Sequence, residues 1–454
     1  VSNINHCTRS FFIKTTHPPI MPKLRRLTHL VWIFPLVLAI FACQAGATTP
    51  QFDNLRWQYD LKDTFVQFSE PVVAEGAVYL AGQGSAEGHS GHLLALQESD
   101  GKLLWSAPFP SLSLTNPLVQ GDVVLAIEGN GGQRTLLAVE KSTGAMRWRA
   151  LEAMRGRAVL TDGLVWFCNS EDELVALHIA DASEAYRLPI GDSDGSSLAV
   201  QGETVLLGDP DGRLVAFAAQ DGTELWSTAT EPRGYYEPAV IYNDELVIID
   251  APLMGVDLLT GKKRWQAWAD TPEQLADGHQ PILLNDTLYV RGYPDNDTLH
   301  ALSAQTGIEL WRKTIPDSQY FVGSDWLATY QNYVIAISSN DLTALDPSTG
   351  TQLWQYHLER EPKSGCLQEF KVGPAVLGAV IYANSAVTIL ENSCALDKNS
   401  AQVRISALDG SLLGVTVVPN TGFSRPALLF GVKTINNTLY QTAFGKIYAI
   451  APAN

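Results

Sequence analysis

The side chains that could do chemistry are few and scattered. His89 and His92 stand three residues apart in and beside the Gly- and Ser-rich stretch 82–91, a spacing at which two imidazoles could share a metal. No third ligand accompanies them, and a solvated loop accounts for both. His178, His279, His300 and His357 are spread through different parts of the chain. Three Asp-rich stretches offer carboxylates to calcium: Gly191-Asp192-Ser193-Asp194-Gly195, Gly208-Asp209-Pro210-Asp211-Gly212 and Asp295-Asn296-Asp297. None continues to the terminal Glu of a twelve-residue calcium loop, and Asp and Gly are the residues expected at turns. No His-Glu-x-x-His run and no phosphate-binding Gly-x-x-x-x-Gly-Lys run occurs. Catalytic and metal sites are therefore expected to be absent.

What does recur is a structural frame: Ala, then Gly six positions on, then Trp four after that. It appears at Ala95/Gly101/Trp105, Ala138/Gly144/Trp148, Ala216/Gly222/Trp226, Ala301/Gly307/Trp311 and Ala344/Gly350/Trp354. Two copies keep the spacing with substitutions, Ala176/Ala182/Tyr186 and Gly255/Gly261/Trp265. An eighth reads as shortened at Ala407-Leu408-Asp409-Gly410, and a ninth, at Ala449, meets the last residues before its Gly and Trp. Each copy predicts two short strands around a polar hairpin loop whose Gly takes a positive φ. A further strand pair precedes each copy, as in Pro71–Leu80 and Pro281–Val290. Four strands per repeat make a propeller blade. The Trp of each copy is expected to bury its ring between adjacent sheets, with the Ala or Gly leaving room for it. Leu55-Arg56-Trp57-Gln58-Tyr59 is an isolated strand bearing Trp57 with no preceding Ala, so it should complete the last blade and close the ring. The expectation is an all-β propeller of eight or nine four-stranded blades, with nine favoured by the count.

The Ala-Leu-x-x-x-(Asp/Thr)-Gly-x-x-x-Trp frame resembles the tryptophan-docking motif of pyrroloquinoline-quinone (PQQ)-type propellers over essentially all of residues 55–454. That family includes quinoprotein dehydrogenases, BamB-type outer-membrane assembly lipoproteins, and binding or sensory domains. The dehydrogenases hold the quinone with a calcium ion, and many carry an adjacent cysteine pair. This chain has no Cys-Cys dipeptide and no Cys-x-x-Cys-His haem site. The resemblance therefore points away from PQQ, calcium and catalysis, and towards a BamB-like scaffold in an envelope complex that assembles outer-membrane β-barrels. A PQQ-dependent oxidoreductase and a small-ligand-binding or sensory propeller are the alternatives.

The N-terminal region supports an envelope location. Residues 1–20 hold no recognisable element and are expected to be an upstream extension from a mistaken start. From Met21, the basic Lys23, Arg25 and Arg26 precede an apolar run from Leu30 to Phe41 and then Ala42-Cys43. Ile40-Phe41-Ala42-Cys43 resembles a lipobox, which would make 21–42 a signal peptide and Cys43 the lipidated residue. The other reading is ordinary cleavage near Ala45 or Ala47. Gln44, which is not Asp, implies sorting to the outer membrane, with the body facing the periplasm. Residues 43–54 read as a tether and 55–454 as the propeller.

Cys168 lies in an apolar strand as a small hydrophobe, and Cys366 and Cys394 flank a strand pair as the expected disulfide of an oxidising compartment, two unpaired thiols being the other reading. Five basic and no acidic residues precede Cys43, which leaves 26 basic against 48 acidic side chains in the remainder. So acidic a body disfavours nucleic acid and anionic headgroups as partners. What is left is a protein-binding surface, for which the aromatic and Arg anchors Arg233, Tyr235, Tyr236, Tyr320 and Phe321 are the candidates, packing between blades being the other reading of them.

Overall fold

The computed structural model describes Phe52 and residues 54–452, apart from 62–65, 85–90, 130–133, 191–196, 210–211, 231–239, 251–252, 269–280, 292–297, 316–326, 339, 359–366, 389–399, 419–429 and 444. All of these belong to one compact unit, 47–454. The described residues contain strands and no helix.

They form nine sheets in which every paired strand is antiparallel to its neighbour. In chain order, sheets 1 to 8 span 66–109, 118–149, 154–189, 199–229, 240–266, 282–314, 327–357 and 367–418. Sheet 9 combines the three strands of 430–450 with Leu55–Asp60, which pairs antiparallel with Lys446–Ile450 and sets Trp57 opposite Ala449. Sequence pattern explains the place of each strand. Middle strands such as Val123–Glu128 and Leu164–Asn169 are apolar runs buried on both faces, because a sheet packs on either side. Outermost strands alternate instead, as in Leu103–Phe109, where Trp105, Ala107 and Phe109 are buried and the residues between them exposed.

The core runs from sheet to sheet. Leu93 and Trp105 of sheet 1 share a cluster with Val124 and Leu137 of sheet 2, and Trp148 of sheet 2 shares one with Phe167 and Leu177 of sheet 3. The succession continues to sheet 9, where Tyr440 and Ile447 pack with Val78 and Leu94 of sheet 1. Sheets 8 and 9 meet around Phe52, Tyr382 and Tyr448. Phe52 is buried there, with its ring 4.7 Å from that of Tyr448, so a residue read as tether is part of the core.

Candidate functional site

The recurring frame is built by one hairpin and one bulge. In sheet 1 the Gly101 N–H donates to the Gln97 carbonyl at 2.9 Å, and the Gln97 N–H donates to the Lys102 carbonyl at 2.8 Å. Gly101 closes this loop at φ +70°, the left-handed region where a side chain is strained. Beyond the loop, Leu96 pairs with Leu103 but Ala95 pairs with Trp105, so Leu104 is an extra residue in the outer strand. The same shift recurs before Trp148, Trp226, Trp265, Trp311 and Trp354. A bulge at an outer edge also blunts that edge against pairing with another chain.

Each indole is then held by the next sheet. The Nε1–H of Trp57 donates to the Glu98 carbonyl at 2.8 Å, Trp105 to Lys141 at 2.7 Å, and Trp148 to Ile179 at 2.7 Å. Trp226 donates to Leu258 at 2.8 Å, Trp265 to Ala304 at 3.1 Å, Trp311 to Pro347 at 2.7 Å, and Trp354 to Ala407 at 3.2 Å. The acceptor always stands three residues before the residue that closes the loop, which is Ala182 for Trp148 and Gly for the other six. That Gly lies under the ring: a Cβ on Gly144 would fall 2.5 Å from Trp105, and one on Gly350 2.6 Å from Trp311. The glycine is thus required twice, by its φ and by the indole.

Two seams depart from the pattern. Between sheets 3 and 4 the shorter Tyr186 reaches the Gln220 carbonyl through its hydroxyl, and Trp166 stacks on its ring at 5.8 Å. Sheet 8 corrects the reading of a shortened copy. Its register sets Arg404 opposite Gly414, so Arg404 holds the position of the small residue and Gly414 that of the Trp. Ala407, read as the small residue, supplies instead the carbonyl that receives Trp354. A Cβ on Gly414 would fall 2.4 Å from the Arg404 guanidinium, whose side chain therefore fills the space an indole occupies elsewhere.

The bulged residues form the outer rim. Leu104, Leu225, Leu310, Leu353 and Leu413 are exposed there, the last three on consecutive sheets. Arg147 at the same position is tied to Asp122 at 2.5 Å and Glu140 at 2.7 Å, and Arg264 to Asp257. The Arg264 guanidinium, helped by the Thr260 hydroxyl, holds the Asp257 carboxyl down at about 2. Burial pushes the phenols of Tyr289, Tyr440 and Tyr448 up to about 12, so none of them exchanges a proton near neutrality.

Of the expected functional residues, the Trp series lies where the frame places it. Cys168 is buried, in the cluster shared by sheets 3 and 4. Cys43, Cys366, Cys394, Arg233, Tyr235, Tyr236, Tyr320 and Phe321 lie outside the described residues, as do His89 and the Asp-rich stretches at 191–195 and 295–297. The first of those stretches also reads Gly-x-Ser-x-Gly, a pattern the turn reading passes over; its catalytic form sits on a strand-to-helix elbow. Calcium takes six to eight oxygen ligands. Among the described residues, no group of three or more His, Cys, Asp or Glu side chains is placed to hold a metal ion. His300 is buried, with Nδ1 at 2.8 Å from Glu309 Oε2 and its ring edge-on to Trp268 at 5.0 Å.

Antiparallel sheets docked ring to carbonyl, eight of them four-stranded and sheet 1 five-stranded, are the architecture of a PQQ-type repeat propeller. A family model described as outer membrane protein assembly factor BamB matches residues 46–155, 132–293 and 268–417, and the chain belongs to that family. It is 27% identical to the outer membrane protein assembly factor BamB of Yersinia pestis over 199 residues, which are 40% of this chain and 48% of that one. It is 21% identical to the tetrathionate hydrolase of Acidithiobacillus ferrooxidans over 302 residues, 65% of this chain and 54% of that one. The chain thus spans about half the length of the curated relatives it matches. Among solved structures it is similar to BamB from Moraxella catarrhalis, with 18% identity and a TM-score of 0.47, covering 86% of this chain and 95% of that one.

Proposed function

We propose that the protein is a non-catalytic interaction scaffold, anchored by lipid at Cys43 to the periplasmic face of the outer membrane, and a BamB-like subunit of the machinery that assembles outer-membrane β-barrels. Membership of the BamB family over residues 46–417 is the observation that supports it. The geometry agrees in kind: the recurring frame spends its aromatic rings on joining sheets, while the rim offers exposed leucines on sheets 6, 7 and 8 to a partner. The loops with Arg233, Tyr235 and Tyr236 and with Tyr320 and Phe321 are the further contacts of this reading. Its test is mass spectrometry of what co-purifies with the tagged chain from gently solubilised envelopes, beside a Cys43→Ser control. Barrel-assembly components in stoichiometric amounts are expected with the lipidated form. Their absence while the protein is abundant would overturn the scaffold role.

The alignment with tetrathionate hydrolase supports a second reading, an enzyme; a PQQ-dependent oxidoreductase is one form of it. PQQ with calcium added at a hundred times their dissociation constant would stabilise such a protein by about 2.7 kcal/mol. An unchanged melting temperature would remove the quinoprotein form of that reading.

A further inference from the structure

Each sheet ends in an outer strand with an open edge, and an open edge is a template on which another chain can pair. Eight of the nine outer strands carry a residue that discourages such pairing. Pro108 and Pro189 stand in those of sheets 1 and 3, His357 in that of sheet 7, and charged side chains in those of sheets 2, 4, 5, 6 and 9. Sheet 8 differs. Its outer strand, Leu412–Val418, reads Leu-Leu-Gly-Val-Thr-Val-Val, with no charge, no His and no Pro. Among the described residues no strand pairs with its other side.

This edge is also regular. Past the bulge at Leu413, residues 414–418 pair one for one with 400–404 in antiparallel order. The direction of the peptide groups follows from the frame. Two residues beyond Trp148 the Ala150 N–H donates inward to the Leu136 carbonyl at 2.8 Å, and two beyond Trp265 the Ala267 N–H donates to the Leu253 carbonyl at 2.9 Å. Gly414 holds the Trp position of sheet 8, so Thr416 bonds inward to Gln402, and Val415 and Val417 turn their N–H and C=O groups to the open edge. The side chains of Leu412, Leu413 and Val415 are exposed along it.

We propose that this edge pairs antiparallel with the same edge of a second copy of the chain, about a two-fold axis at Thr416. That axis sets Val415 opposite the partner's Val417 and Val417 opposite the partner's Val415, so both pairs exchange N–H and C=O bonds. A second copy is the occupant because the edge is its own complement: its outward-facing groups stand symmetrically about Thr416. No like charge within the strand opposes the approach, although the chain as a whole carries a formal charge of −17. Such a pairing uses up the edge on both copies and stops at the dimer. The inference stands whether or not the chain takes part in outer-membrane assembly.

The test is sedimentation equilibrium of the full chain carrying Cys43→Ser, which removes the acceptor for any lipid, at concentrations from about 1 to 200 µM. A monomer–dimer equilibrium is expected, with no larger species. Val415→Lys puts like charges near each other across the two-fold axis, and Val415→Pro removes an outward donor at a place where an edge strand tolerates proline. Each should keep the urea midpoint near that of the parent and weaken the dimer at least about tenfold. Ser227→Lys, the same charge at the matching exposed place on sheet 4, should leave the dimer unchanged. A monomer throughout, assembly beyond the dimer, a dimer that survives Val415→Lys, or one lost equally with Ser227→Lys would each overturn the proposal.

Discussion

Seven seams between sheets carry an indole that donates to a carbonyl of the next sheet, whereas the seam between sheets 8 and 9 carries Arg404, Gly414 and Phe52. The polar character extends inward, where the Gln402 Nε2 donates to the Gln441 Oε1 at 2.9 Å in a fully buried pair. The reason lies in how sheet 9 is made. Its outer strand, Leu55–Asp60, comes from the N-terminal side, so no hairpin joins it to Lys446–Ile450. Without that hairpin there is no loop carbonyl to accept an indole and no glycine to lie beneath it. A Trp at position 414 would have a ring without a dock. The motif is therefore a property of sheet pairs: the ring belongs to one sheet and its acceptor and glycine to the next.

The largest expected effect comes from breaking a regular seam. Trp311→Ala removes a buried ring and its hydrogen bond to Pro347, and should cost about 3–5 kcal/mol in urea unfolding. Phe52→Ala makes the matching break at the irregular seam and should cost somewhat less, about 3 kcal/mol, because the neighbouring polar pair has no apolar surface to lose. Were Phe52→Ala to leave the urea midpoint unmoved, the N-terminal segment would not be part of the fold, and the contrast between the seams would lose its basis.

A double-mutant cycle sharpens the same contrast. Arg404→Ala alone opens a void at Gly414, and Gly414→Trp alone drives an indole into the guanidinium. Together they restore the small-and-large pairing of the other sheets. The two changes should therefore couple favourably by about 1–2 kcal/mol, within the range seen for residues in contact. Additive costs would mean that Arg404 does not occupy the indole's space.

The regular seams were legible because their frame is local. A hairpin loop of fixed length and one bulge set the interval from Ala to Gly to Trp, so a sheet-to-sheet contact left a pattern within eleven consecutive residues. Even so, the spacing could not tell that the indole N–H needs a carbonyl three residues before the next sheet's Gly. The irregular seam hid for the opposite reason. With large and small exchanged at Arg404 and Gly414, a search for a small residue settled on Ala407, three positions away, and Phe52 stood in a stretch too polar to look like core. The bowed segment 113–117 of sheet 2 and the two-residue slip between Arg155 and Ala158 in sheet 3 depend on mismatched lengths of paired segments, which only the register reveals.

The smallest effect concerns the one frame in which alanine stands for the loop glycine. Ala182 sits at φ +59°, its N–H donates to the His178 carbonyl at 2.9 Å as Gly144 does to Glu140 at 2.8 Å, and it packs in the cluster of Trp148. A left-handed alanine costs about 1–2 kcal/mol, and replacing it with glycine returns about 0.4–1 kcal/mol to the unfolded chain's entropy. Ala182→Gly should therefore stabilise the protein by about 0.5 kcal/mol, raising the urea midpoint at unchanged slope. If glycine instead lowers the midpoint, the methyl group's contact with Trp148 outweighs the strain, and this seam has been repacked around its alanine.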